Sequence, residues 1–448
     1  MISDNQLPEL RDYRILEREL PIVEDSRFGA LVVSSGNEQL AVHRWFRFKE
    51  AYSAGLVPAL LEKYDPEGQA FSLLDPYCGV GTTLLSAQTI STQSISATGI
   101  EYNPFVRFVA CTKLDWPLVD PAKLVALGAA VVRATAAARE ELPDLSGFQT
   151  GRCMSIHIAR RLIGIRDAIR AEGDSPTHRA LLLGLAAAVE PLSHTRKDGR
   201  ALRLVERPRQ IVSAVLQNKW EAMAADVSSM RTSQPYRNSA KVIAGDGRKP
   251  LAHGVQPGSV DLIITSPPYP NNIDYSEVYK LELWLLGFIQ DSNSFLDLRK
   301  ATFRSHPTSD LSISEETFVK EITAQPLSQA FEPILSKLDA KNETWRRRLF
   351  VGYFSDTKSA LEQYYRALKP NGHAFIIVGN SLHGGKYAPY IIATDLLIAM
   401  LARSIGFVVE RISVARSLRR RLTGNHFLRE SLLVLRRPHG EQEPASSI

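Results

Sequence analysis

Ser266-Pro-Pro-Tyr269 places a hydroxyl, two prolines and a phenol ring directly after the apolar run Leu262-Ile-Ile264, which Asp261 opens. A short apolar run of this kind reads as a buried parallel strand. Two successive prolines lack N–H donors and fix φ, so the ladder stops and the chain leaves the sheet in a stiff turn. In open α/β sheets the carboxyl edge of the strands is where ligands bind. A second candidate is the glycine turn in Asp75-Pro-Tyr-Cys-Gly-Val-Gly-Thr-Thr83, which follows the brief strand Phe71–Leu74 and runs into a helix at Leu84–Thr89. A Gly-x-Gly turn there lets backbone approach a ligand and aims helix N–H groups at it. Gly79 and Gly81 lack the Gly-x-x-x-x-Gly-Lys-Ser/Thr spacing, which excludes a P-loop. Glu101 ends the next strand, Ala97–Ile100, twenty residues after Gly81, the spacing of an acid that takes ribose hydroxyls. Asn103-Pro104 starts the helix that follows, and Asp246 ends a third strand, Lys241–Asp246, on the same edge.

The elements that must position these groups form an interrupted α/β pattern. Residues 1–40 read as a partly ordered leader, and 41–119 as the cofactor-binding half of a domain. Alanine- and leucine-rich helices at Leu124–Glu141, His157–Ala171, Thr177–Val189 and Gln210–Arg231 make 120–240 a helical insert, a candidate for target recognition. The catalytic half occupies 241–437, interrupted by a polar insert at 290–348, and 438–448 reads as a tail. A helix over Ser355–Leu368 stops at Lys369-Pro-Asn-Gly372. The strand His373–Val378, a helix over Ile391–Ser404 and the strands Phe407–Val414 and Leu428–Leu435 complete the pattern. The predicted fold class is α/β: a doubly wound, mostly parallel, Rossmann-like sheet with a helical insertion.

At 448 residues, with 44% hydrophobic and 23% charged residues, the chain has the composition of an ordinary globular protein with a sizeable core. No apolar run reaches the ~20 residues of a membrane span, and the N-terminus lacks the layout of a secretory signal; the expected location is the cytoplasm. Cys78, Cys111 and Cys153 are too scattered for a disulfide framework or a zinc site, so no metal is expected. The net charge of +6 favours a polyanionic partner. Arg196, Lys197, Arg200, Arg203, Arg207 and Arg209 cluster in or after the helical insert. Arg346, Arg347 and Arg348 close the polar insert, and Arg416, Arg419, Arg420 and Arg421 lie between the last strands. These are candidate nucleic-acid contacts; contacts to phosphate position a duplex without reading its sequence.

Asp75-Pro-Tyr-Cys-Gly-Val-Gly-Thr-Thr83 resembles the cofactor motif of the S-adenosylmethionine-dependent DNA amino-methyltransferases, Asp-Pro-Phe-x-Gly-Ser-Gly-Thr-Thr, with Tyr77 and Cys78 in place of the commoner Phe and small residue. Thr265-Ser-Pro-Pro-Tyr269 resembles their catalytic motif in the form most associated with cytosine N4; Asp-Pro-Pro-Tyr is more typical of adenine-N6 enzymes. Arg44-Trp-Phe-Arg-Phe-Lys49 through Val57 is similar to the family's extra cofactor segment, and Lys369–Gly372 and Arg429–Leu435 to its later elements. The resemblance covers about 41–115 and 241–437. The order, cofactor motif first, is that of only some classes of the family, so the target base stays open.

The resemblance implies a class I methyltransferase that uses S-adenosyl-L-methionine on double-stranded DNA, in restriction-modification or phage defence, with defence-system proteins as possible partners. It implies that Asp75, Gly79, Gly81 and Thr82 surround the methionine moiety, with Tyr77 and Asn103 in the same wall. Glu101 would take the ribose and Asp246 the adenine amine, with Trp45 and Phe48 as a cover. Ser266 Oγ and the Pro267 carbonyl would accept the hydrogens of an exocyclic amine. Pro268 would stiffen the turn, and Tyr269 would stack on an extruded base. Readings kept beside it are an adenine-N6 enzyme, an RNA guanine-N2 methyltransferase and a non-catalytic DNA-binding subunit. A cytosine-C5 enzyme is excluded because none of the three cysteines follows a proline.

Overall fold

Runs of leucine, isoleucine and valine that end on a proline, a glycine or an acid become strands of one central sheet. The computed structural model describes residues 7–64, 71–90, 94–135, 150–198, 202–233, 238–340, 343–384, 389–418 and 425–439. In chain order the strands are β1 (Ile22–Glu24), β2 (Phe71–Asp75), β3 (Ile95–Glu101), β4 (Thr195–Lys197), β5 (Leu202–Leu204), β6 (Ser239–Ala244), β7 (Val260–Thr265), β8 (Leu368–Gly379), β9 (Ser381–His383), β10 (Tyr390–Ile392), β11 (Val408–Ser417) and β12 (Arg429–Arg436). Eight of them form one sheet in the order β1-β11-β12-β8-β7-β2-β3-β6. Only β12 runs against its neighbours, between β8 and β11. From β2 the chain winds outward through β3 to β6, then returns to β7 on the other side of β2 and winds outward again. This is a doubly wound, Rossmann-like α/β fold, and the reversal between β2 and β7 is its switch point.

The sheet is covered on both faces, which is why its central strands are nearly all apolar. Leu73, Leu262, Ile264 and Phe375 face one core, and Leu74, Ile263, Ile376 and Val378 face the other. Adjacent residues thus serve opposite cores, as the two-residue period of a strand requires. The first core continues into the helical insert. There Trp220 sits against Gly128 and Gly184, at either of which an added Cβ would lie 2.4 Å from the indole, and its Nε1 donates to the Leu181 carbonyl at 3.1 Å.

Several expectations change. The leader is built into the fold. Leu10, Tyr13 and Leu16 bury one face of the helix Leu10–Glu19, the Tyr13 hydroxyl donates to the Ile391 carbonyl at 3.0 Å, and β1 adds parallel to β11 at the sheet edge. Leu10, Tyr13 and Leu16 at i, i+3 and i+6 with charged residues between them are the pattern of an amphipathic helix. The helix expected over Leu124–Glu141 is Pro121–Ala134, with 136–149 outside the described residues. Around Arg196, Lys197 and Arg203 the chain forms an antiparallel pair of short strands, β4 and β5, with 199–201 outside the described residues. The polar insert is helical at Ser292–Lys300, Glu316–Ile322 and Ser328–Ala340, pinned by buried Phe295, Phe303, Phe318 and Phe331. The helix expected from Ser355 begins at Thr344 and runs to Ala367, so Arg346–Arg348 lie on its first turns. Of the tail, 440–448 lie outside the described residues.

Candidate active site

At the switch point the carboxyl ends of β2 and β7 lie side by side, with Leu73 opposite Leu262 and Leu74 opposite Ile263. Asp75 is buried there. Its carboxylate accepts from Thr265 Oγ1 at 2.9 Å, from the Tyr77 backbone N–H at 3.2 Å, from the Tyr52 hydroxyl at 3.3 Å and from Thr83 Oγ1. Burial raises its pKa to about 6 against these bonds, which lower it. The glycine turn then needs left-handed backbone, φ +53° at Gly79 and +81° at Gly81. Gly81 caps the helix Thr82–Thr89, and Gly79 packs under the Phe48 ring. Cys78 is buried at the base of the turn, its Sγ 2.7 Å from where a Cβ on Gly99 would stand.

Glu101, at the end of β3, accepts from the Gly79 N–H at 3.0 Å and the Asn103 N–H at 2.7 Å. Burial raises its pKa to about 7. Asn103 Oδ1 caps the helix Pro104–Leu114 by accepting from the Phe105 and Val106 N–H groups, and its buried Nδ2 has no hydrogen-bond partner. Asp246 follows β6 and is held by Arg248, whose Nε lies 2.9 Å from each carboxylate oxygen; Arg248 also reaches Asp356 at 2.8 Å. At Gly247 an added Cβ would lie 2.0 Å from the Pro76 carbonyl oxygen, so this turn and the glycine loop touch backbone to backbone.

The Ser266–Tyr269 turn is secured by residues far away in sequence. The Pro268 carbonyl accepts from the Tyr353 hydroxyl at 3.0 Å, and the Pro270 carbonyl accepts from Ser381 Oγ at 3.0 Å. The Tyr269 hydroxyl donates to Glu430 Oε1 at 2.9 Å and accepts from Ser266 Oγ at 3.3 Å. Glu430 Oε2 in turn accepts from Arg416 Nε at 2.6 Å. The Tyr269 ring lies over Gly379, where a Cβ would come within 2.9 Å of Cε2.

A single cavity of about 310 Å³ joins these parts. Asp75, Tyr77, Gly79, Thr82, Glu101, Asn103 and Asp246 line it from the glycine-loop side, and Ser266, Pro267, Pro268 and Tyr269 from the other. Phe48 also lines it and stacks on Tyr279, with ring centroids 5.2 Å apart and planes 15° apart. Trp45 does not: its Nε1 donates to Asp226 at 3.0 Å and its ring is core. Gly81 acts from behind the wall, as helix cap. Sequence reasoning missed Tyr52, Thr83 and Thr265 around Asp75, and Tyr353, Glu430 and Arg416 around the turn. Neither Glu430, set between Arg429 and Ser431 at the start of β12, nor Tyr353 carries a sequence signal that marks it as a partner of the turn. Also missed were Ala301–Phe303, Ser305 and His306 of the polar insert, which close one side of the cavity.

The basic candidates divide. Lys197 is buried, paired with Glu282 and set 4.6 Å above the Tyr279 ring, so it is a structural cation rather than a surface one. Arg196 is exposed, and Arg203 is exposed beside Asp198. Arg346 pairs with Glu343 and Arg347 with Asp339, while Arg348 is exposed. Arg416 turns inward to Glu430. Arg200, Arg419, Arg420 and Arg421 lie outside the described residues. Among the described residues no cluster of His, Cys, Asp and Glu could hold a metal ion, and no helix is long and apolar enough to cross a membrane.

No family model matches the chain. The Type II methyltransferase M.AvaI of Nostoc sp. is 26% identical over 432 residues, covering 86% of this chain and 83% of that protein. M.BsoBI of Geobacillus stearothermophilus, also a Type II methyltransferase, is 23% identical over 90% of this chain and 87% of that one. Among solved structures, the rRNA methyltransferase AviRa of Streptomyces viridochromogenes covers 91% of this chain and 90% of its own, at 11% identity and a TM-score of 0.26.

Proposed function

We propose that this chain is an S-adenosyl-L-methionine-dependent DNA methyltransferase that modifies an exocyclic amine of an extruded base, cytosine N4 in preference to adenine N6. The observation that carries the reading is the single cavity with the Glu101 and glycine-loop wall on one side and Ser266–Tyr269 on the other. Similarity to the two Type II methyltransferases along most of the chain supports it.

The residues present fit the cofactor. Glu101 keeps acceptor capacity beyond its two backbone bonds, suited to a pair of ribose hydroxyls. Asn103 Nδ2 is a buried donor with no partner beside it, and such a donor is costly to leave unpaired. Asp246, fixed by Arg248, presents an acceptor on the cavity wall for an adenine amino group. Once bound, S-adenosylmethionine supplies an electrophilic sulfonium methyl.

The chain's own part is positioning. An exocyclic amine is a weak nucleophile because its lone pair is delocalised into the ring. Ser266 Oγ and the Pro267 carbonyl accept its two hydrogens and fix its direction, while Tyr269 stacks on the base. Glu430, itself held by Arg416, accepts from the Tyr269 hydroxyl, Tyr353 holds the Pro268 carbonyl, and the prolines remove slack. Preorganisation of this kind contributes more than a weakly basic serine could by abstracting a proton. Incubation with labelled S-adenosylmethionine and, in parallel, duplex DNA or RNA, followed by mass spectrometry of the nucleosides, tests the reading. N4-methylcytosine is the expected product. N6-methyladenine would move the target base, and label on RNA alone would refute the DNA assignment.

A further inference from the structure

The helix Thr344–Ala367 links the catalytic turn to an aromatic shelf outside the cavity. Its Tyr353 bonds the Pro268 carbonyl, and Trp345 stands eight residues earlier on the same helix, about 12 Å away along its axis. Trp345 is 45% exposed, and the Arg346 guanidinium lies over its ring, 5.0 Å from the centroid. Trp345, Arg346, Tyr353, Tyr390 and Asn272 line one shallow cleft beside the turn, and the buried Oδ1 of Asn272 has no hydrogen-bond partner there. The cleft encloses only about 20 Å³. That is too little to swallow a base, so an aromatic ligand would lie on the shelf and stack. The spacing of about 12 Å corresponds to three or four base steps of about 3.4 Å along a strand. An exposed indole backed by a guanidinium is the stacking platform that nucleic-acid strands use.

The geometry points to Trp345 as a second contact for the DNA strand, stacking on a nucleotide three or four positions from the target base while the base itself enters the cavity. The inference rests on the reading of the chain as a DNA methyltransferase, and names the side of the protein along which the strand leaves the active site.

Tryptophan emission tests it on the full chain, because Trp45, Trp116, Trp220 and Trp284 are each at most 4% exposed. Iodide-quenchable emission therefore reports Trp345. The probe is a dye-labelled duplex carrying the methylated site, located beforehand by mapping product on genomic DNA; dye anisotropy gives occupancy in the same titration. The iodide-quenchable emission is expected to vanish as the duplex saturates. Trp345→Ala is expected to raise the Kd for DNA about tenfold, within the range for one lost base stack, with the cofactor Kd and the urea midpoint unchanged. Emission that stays open to iodide at saturating DNA overturns the inference, as does a Trp345→Ala variant that binds DNA within twofold of wild type. Normal DNA methylation with Trp345 still open to iodide sinks this contact alone. Absence of both binding and methyl transfer to DNA sinks the functional reading with it.

Discussion

The two walls of the cavity are built in opposite ways. On the glycine-loop side, much of the hydrogen bonding comes from nearby residues, with Thr265, 190 residues away, a distant exception on Asp75. Glu101 takes the N–H of Asn103, two residues on, and Asp75 takes that of Tyr77 and the hydroxyl of Thr83. On the catalytic side, apart from the Ser266–Tyr269 bond inside the turn, the restraints come from distant segments: Tyr353 on the Pro268 carbonyl, Ser381 on the Pro270 carbonyl, Glu430 on the Tyr269 hydroxyl. A locally satisfied wall can be shaped by a short motif. A wall held from a distance is only as rigid as the packing of the whole second half, which makes it the place where remote changes alter turnover.

The sharpest way to break the contrast is at the close approach of Gly247 to the Pro76 carbonyl beside the glycine loop. Gly247→Ala forces a Cβ to within 2.0 Å of the Pro76 carbonyl oxygen; the expected loss is about 3 kcal/mol, read from urea unfolding. A loss below about 1 kcal/mol, within the range of an ordinary surface change, would mean the loop yields. Next, Tyr269→Ala is expected to lower kcat about a hundredfold, close to 2.7 kcal/mol, and to leave the cofactor Kd nearly as it was. Equal losses in both would erase the division of labour between the walls.

Glu101→Gln addresses the other side. Its carboxyl, raised from 4.5 to about 7 by burial, is charged in the free protein only above that pH. As an acceptor for ribose hydroxyls it serves best ionised, so cofactor affinity should climb between pH 6 and 8 and flatten in the Gln variant. The sign for stability is the reverse. A carboxyl whose folded pKa is raised contributes stability that is complete below its unfolded pKa and is lost as pH rises toward 7. Calorimetric titration and thermal melts across this range should therefore slope in opposite directions. The smallest effect is expected from Tyr353→Phe, about 1 kcal/mol for one neutral hydrogen bond, seen in kcat rather than in cofactor binding. A fall in cofactor affinity instead would place Tyr353 on the wrong wall.

The same contrast decides what could be read from the chain. The strands β2, β3, β6 and β7, the left-handed glycines and the acids at strand ends follow from local signals. Apolar runs make strands, positive φ selects glycine, and an acid at a carboxyl edge faces a ligand. The partners of the turn were illegible because Tyr353, Ser381 and Glu430 lie 85, 111 and 161 residues from the atoms they bond, and no spacing rule connects them. Trp45 misled because an aromatic–basic segment can serve either core or ligand; Asp226, 181 residues away, decides for core. Lys197 misled because a charged side chain in a basic run reads as surface until its buried partner Glu282 is known.

The buried cysteine in the glycine turn gives the molecule an internal clock. The Cys78 thiol is 5% exposed and burial pushes its pKa well up, so a thiol reagent can reach it as thiolate only when the turn opens. Cys111, half-buried on the helix Pro104–Leu114, is expected to react sooner and serves as the reference. The lag between the two labelling rates measures how often the loop opens, and a ligand seated on the loop should lengthen it in proportion to its occupancy.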